Sequence, residues 1–106
     1  MGLLQLNGPN PLRADAWLKS EVSVFSKTTR VWGVGHCSFV KSPDGAEDWM
    51  VYHTKSSLQK GWKDRRVHAQ RFSWSQTGTP SFGQPTAAGI PISIPSNQPM
   101  PKRAAA

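Results

Sequence analysis

The stretch GHCSFVKSPDGAEDWMVYHT, residues 35–54, decides how this chain is read. Ser42-Pro43-Asp44-Gly45 is a turn signature: proline presets φ at the second position, and glycine closes the turn. The flanking segments, Gly35–Lys41 and Trp49–Thr54, have the length and the aromatic and β-branched content of strands. Trp49-Met50-Val51-Tyr52 is apolar on both faces, as befits an interior strand covered on two sides. Residues 35–54 therefore predict an antiparallel hairpin.

Working outward, Val67–Trp74 (VHAQRFSW) predicts a third strand, with His68, Gln70, Phe72 and Trp74 on one face. Ser75-Gln76-Thr77-Gly78 is another turn, and a weaker extended piece is expected near Phe82-Gly83. Upstream, Leu3-Leu4-Gln5-Leu6 reads as a strand already under way, so more chain is expected before it. Asp15-Ala16-Trp17 predicts one helical turn capped by the aspartate, and Val22–Phe25 predicts a short strand. Residues 75–106 hold six prolines, which excludes helices and central strands there. Ile90, Ile92 and Ile94 alternate with Pro91, Ser93 and Pro95 as an edge strand would, and residues 96–106 predict a solvated tail. The expectation is all-β: one four-stranded antiparallel unit over residues 1–95 with ragged ends. Its open faces and edges suit a repeat in a larger closed array better than a free-standing protein.

Thirteen lysines and arginines face six acidic residues, a formal charge of +7. That balance raises nucleic acid as a partner. The basic residues are scattered, so only non-specific binding is expected. A small basic β-module binding RNA or single-stranded DNA through exposed aromatics stays open as the alternative. A catalytically silent interaction surface is a third reading. No run approaches the ~18–20 apolar residues of a membrane span, and no membrane partner is expected. Cys37 is the only cysteine, which leaves no internal disulfide and no cysteine-based zinc site. The N-terminus lacks the basic start and apolar core of a signal peptide.

The ordered set His36, Phe39, Ser42 to Gly45, Glu47 to Trp49, Val51 to His53, Arg65, Gln70, Phe72 and Phe82 to Pro85 resembles glycoside hydrolase family 43. The likeness is to the C-terminal part of its α-L-arabinofuranosidases. It implies the last blade of an incomplete five-bladed β-propeller, with the end of the preceding one. It also implies a secreted parent that cleaves α-L-arabinofuranosyl or related xylosyl linkages in plant cell-wall polysaccharide by inversion. Inversion needs an acid and a base about 6.5–9.5 Å apart. In the family these carboxylates sit in earlier blades, so none of the six acidic residues here is expected to be catalytic.

Two residues are implied as site support. The family's counterpart of His36 points into the central channel, where many members hold calcium. A hard cation prefers oxygen, so His36 would act there through a water; otherwise it is a histidine satisfied by backbone groups. Arg65 matches an arginine that reaches the active site, and its planar fork of donors suits a carboxylate or sugar hydroxyl; otherwise it is an exposed loop charge. His53 and His68 read as packing residues rather than metal ligands. Trp49 and Trp74 read as core, while Trp32 and Trp62 in loops are open to a sugar-facing role. The chain departs from the family pattern at Cys37, where Asn is common, and at His68, where Arg is frequent. It departs also in the basic loop Ser56–Lys63.

Overall fold

The computed structural model describes residues 1–102. Among the described residues there are six strands: β1 Leu4–Leu6, β2 Trp17–Lys19, β3 Trp32–Lys41, β4 Asp48–Lys55, β5 Arg65–Trp74 and β6 Pro80–Ser81. Strands β3-β4-β5-β6 form one antiparallel sheet in chain order, and β1 pairs with β2 in a second. The fold is all-β, with one 3-10 turn at Ala14–Ala16 as its only helical element among the described residues.

The hairpin expected from residues 35–54 is in place. Gly45 N–H donates to Ser42 C=O at 2.8 Å, and Gly45 itself has φ +73°, where a side chain would be strained. Lys41 stands opposite Asp48, Val40 opposite Trp49 and Phe39 opposite Met50. Strand β4 is interior, with β3 on one side and β5 on the other, and it runs unbroken against β5 from Asp48–Phe72 to Lys55–Arg65. Its alternation buries Met50, Tyr52 and Thr54 on one face and Trp49 on the other.

Met50 and Tyr52 meet Phe25 and Phe82 in the core, with Phe25 edge-on to Tyr52 at 5.0 Å. Gln70 ties this core to the chain beyond β6. Its amide donates to Phe82 C=O and Gln84 C=O, and its carbonyl oxygen accepts from Tyr52 Oη at 2.7 Å and Thr86 N–H at 3.0 Å. Burial raises the Tyr52 phenol to about 12, so it stays a donor at any ordinary pH.

Several expectations are corrected. Residues 22–25 form no strand. The strand paired with β1 is Trp17–Lys19, and Phe25 instead plugs the core as an irregular residue. Asp15 does not cap the helical turn; it takes a bidentate pair from the Arg13 guanidinium at 2.9 and 2.6 Å. The last strand is shorter and earlier than Phe82, at Pro80–Ser81, where an edge position tolerates proline. No strand forms at 90–94. Trp74 is not core: it is 55% exposed, its indole N–H donating to the Asp48 carboxylate at 3.0 Å. It stands near the far end of the sheet, beside a groove walled by Leu4, Phe39 and Phe72 that no described residue fills.

Ser96, placed in the expected tail, is instead anchored 49 to 54 residues back in sequence. Its N–H donates to Glu47 Oε2 at 3.1 Å, and its hydroxyl meets Asp44 Oδ1 at 2.6 Å and Ser42 Oγ at 3.1 Å. Residues 103–106 of that tail lie outside the described residues. The Ser42 and Ser96 hydroxyls, with the Ala46 N–H, hold the Asp44 carboxyl down at about 2. A folded value below the unfolded one stabilises the fold above about pH 4 and is lost as pH falls through about 2. The Ala46 amide, which donates to Asp44 Oδ1, should therefore move in an NMR acid titration with an apparent midpoint near the Asp44 value. In Ser96→Ala that midpoint should shift upward toward an ordinary aspartate. An unshifted midpoint would mean that Ser96 does not act on Asp44.

Candidate functional site

Strand β3 begins, β4 ends and β5 begins at one end of the sheet, and the register brings Trp32, Lys55 and Arg65 into line there. Just inside that line, Gly35 stands opposite His53, which in turn stands opposite Val67. Pairing of β3 with β4 slips twice, between Trp32 and Gly35 and again between Gly35 and Ser38. His36 occupies the second irregularity with φ +49°, a left-handed conformation uncommon outside glycine. Bulges re-aim side chains, and here the result is an exposed imidazole at the sheet's end.

The His36 ring lies 6.1 Å from the His53 ring, centroid to centroid, at 74°. A Cβ on Gly35 would meet the His53 ring at 3.7 Å, an ordinary van der Waals contact, so the ring lies directly over this stretch of β3. His53 Nδ1 is buried and has no hydrogen-bond partner in the protein. Residue 53, expected to pack, is the immediate neighbour of the candidate site histidine. His68, the other residue expected to pack, pairs with Tyr52 on the opposite face, with rings 5.7 Å apart.

Arg65 opens β5 at the same end as His36, and its guanidinium carbon lies 4.1 Å above the Trp62 ring. Trp62 is 78% exposed in the loop between β4 and β5. The pair is a cation–π stack, which limits the freedom of a long arginine and holds its donors in one region. Trp32 lies at the start of β3, half-buried at the same end. His36 and Arg65, the two residues implied as site support, are thus at one end of one sheet.

By itself this region does not supply the ligands of a calcium site. Two imidazoles supply nitrogen donors where calcium takes six to eight oxygens, and no cluster of three or more His, Cys, Asp or Glu occurs among the described residues. The remaining chemistry near His36 is donation and acceptance of hydrogen bonds.

The acidic residues are committed elsewhere. Asp15 is held by Arg13, and Asp44 by Ser42 and Ser96. Glu47 accepts from the Trp49 indole at 2.8 Å and pairs with Arg71 at 3.1 Å. Asp48 pairs with Lys41 at 2.7 Å, and Asp64 accepts from the Ser57 hydroxyl at 2.5 Å. Hydrogen-bond donors lower the pKa of all five. A general acid needs the opposite, a carboxyl kept protonated near neutral pH. Glu21, the sixth, is exposed in the loop between β2 and β3.

With this geometry in view, comparison with known proteins is informative. The family model for Glycosyl hydrolases family 43 matches residues 5–80. An extracellular exo-α-(1→5)-L-arabinofuranosidase of Streptomyces avermitilis is 40% identical over 86 residues, which cover 74% of this chain and 18% of that protein. Alpha-L-arabinofuranosidase 43 of Humicola insolens is 34% identical over 102 residues, covering 84% of this chain and 20% of that protein. The crystal structure of an α-L-arabinofuranosidase from Lactobacillus brevis superposes with a TM-score of 0.76 at 33% identity, over 85% of this chain and 30% of that one. The chain thus spans about a fifth of the length of these curated relatives. The match over residues 5–80 takes in β3, β4 and β5 of the main sheet and the end that carries His36 and Arg65, and by it the chain belongs to glycoside hydrolase family 43.

Proposed function

We propose that this chain forms the last blade, with the end of the preceding one, of a five-bladed propeller that cleaves α-L-arabinofuranosyl linkages by inversion. The substrate would be an arabinose-containing polysaccharide or oligosaccharide, and the parent a secreted enzyme. The observation that carries the reading is the superposition on the Lactobacillus brevis arabinofuranosidase, whose sequence identity is high enough to speak for more than shape. In this reading β3 is the innermost strand, and His36 and Arg65 face the sugar-binding end. The acid and base belong to other parts of the propeller, consistent with the prior commitments of the acidic residues here. Arg65 would donate to a sugar hydroxyl or to a catalytic carboxylate, and Trp62 would keep its guanidinium in place.

A chimera tests this. The aligned segment of the Lactobacillus brevis enzyme is replaced by the corresponding residues of this chain, and hydrolysis of an aryl α-L-arabinofuranoside is measured. The chimera should turn over, and His36→Ala or Arg65→Ala within it should each lower kcat about ten- to a hundredfold, the scale of misplaced reacting groups. A folded chimera without activity, or one indifferent to both substitutions, would count against the assignment.

A further inference from the structure

On the opposite face from His53, but at the same end of the sheet, lies a small pocket of about 210 Å³. Arg30, Trp32, Thr54, Lys55, Arg66 and His68 contribute to its lining. The cations are not balanced there. Lys55 pairs with Asp64 at 3.7 Å and gives further hydrogen bonds to the Gln59 and Gly61 carbonyls. Neither Arg30 nor Arg66 forms a salt bridge with any carboxylate among the described residues. Two free guanidinium forks on one cavity make a local positive field and offer a planar oxyanion paired donors. The half-buried indole of Trp32 adds an apolar wall, and the Thr54 side adds hydroxyl chemistry. The volume lies below that of a drug-sized site and suits one monosaccharide ring.

We propose that this pocket binds the carboxylate of an acidic sugar, a hexuronate unit, through Arg30 and Arg66, with its ring against Trp32. The choice of a sugar over a bare anion rests on the glycosidase reading above; the unbalanced cations do not. The site lies apart from His36 and Arg65, and it would let the protein favour polysaccharide that carries uronic acid.

The test compares glucuronate with glucose, which differ by one carboxylate, and with inorganic phosphate, a bare anion. Binding to the whole 106-residue chain is followed by NMR titration at physiological salt, reading the amides of Trp32, Thr54 and Arg66. Glucuronate should bind at least about tenfold more tightly than glucose, and more tightly than phosphate. Arg30→Gln and Arg66→Gln should each weaken glucuronate about tenfold, as loss of a charge-assisted pair does. Both arginines are exposed, so folding should survive, and Lys19→Gln on β2 controls for net charge by changing affinity less than about twofold. Equal affinity for glucuronate and glucose, or an equal loss in Lys19→Gln, overturns the pocket. Phosphate binding as tightly as glucuronate overturns the sugar. Because the titration involves no turnover, an active chimera with no glucuronate preference defeats this inference alone, and an inactive chimera with that preference defeats only the glycosidase reading.

Discussion

No hydrolysis of an aryl α-L-arabinofuranoside is expected from residues 1–106 on their own, at a protein concentration where the Lactobacillus brevis enzyme is readily active. In the proposed reading the acid and base belong to other blades, and positioned proton transfer contributes typically about 10²–10⁴-fold for each group, so their loss together would remove about 10⁴–10⁸. Five of the six carboxyls are biased toward the ionised form by near donors, which is the wrong bias for a general acid. Glu47 and Asp48 illustrate the obstacle. They are adjacent, yet one is fixed by the Trp49 indole and Ser96, and the other by Lys41 and the Trp74 indole. Protonating either would give up those bonds. Turnover that persists through repurification and vanishes in Glu47→Gln or Asp48→Asn would refute this account.

Gln70→Leu should have the largest effect on stability. The substitution preserves approximate volume but leaves Tyr52 Oη, Thr86 N–H and the Phe82 and Gln84 carbonyls without the partner they now share. Each buried group so stranded costs about 1–3 kcal/mol, and some will find water, so a net loss of about 3–5 kcal/mol is expected. Against total stabilities of about 5–15 kcal/mol, that removes much of the margin. Urea unfolding followed by tryptophan fluorescence should show a much lower midpoint or no cooperative transition. Tyr52→Phe, which removes one hydroxyl from the same network, should cost only about 1 kcal/mol. Similar midpoints for the two variants would show that Gln70 is not the node of this network.

The contrast between these sites explains what could be read from the chain in advance. The hairpin was legible because Ser42-Pro43-Asp44-Gly45 encodes its own geometry and the flanking segments have the length and the aromatic and β-branched content of strands. Strand β2 was not, because Trp17-Leu18-Lys19 has no pattern of its own and becomes a strand only by pairing with β1. Val22-Ser23-Val24-Phe25 looked better as a strand, yet Phe25 serves by filling space between Tyr52 and Phe82. Trp74 sits correctly by alternation, but alternation cannot say whether anything covers that face. At the candidate site, counting outward from Lys41 opposite Asp48 would set His36 directly opposite His53. The slip between Gly35 and Ser38 sets Gly35 there instead, and no local sequence signal announces a bulge held by a histidine at positive φ. The Arg65–Trp62 stack was hidden for a related reason: it spans the end of a loop, where no period applies.

The two anchors of the C-terminal segment carry one more implication. Gln70 grips the chain at Gln84 and Thr86, and the β3–β4 hairpin grips it again at Ser96. Between them the backbone contributes nothing to any sheet ladder, although Ile92 and Ile94 lie over Val40, Trp49 and Val51. Such a segment behaves as a slack tether between two clips. Residues can be added or lost around 87–91 at the small cost of a changed loop length, with no strand forced out of register. Divergence among relatives should therefore gather in that short arc, while Gln70, Ser42 and Ser96 constrain what lies on either side of it.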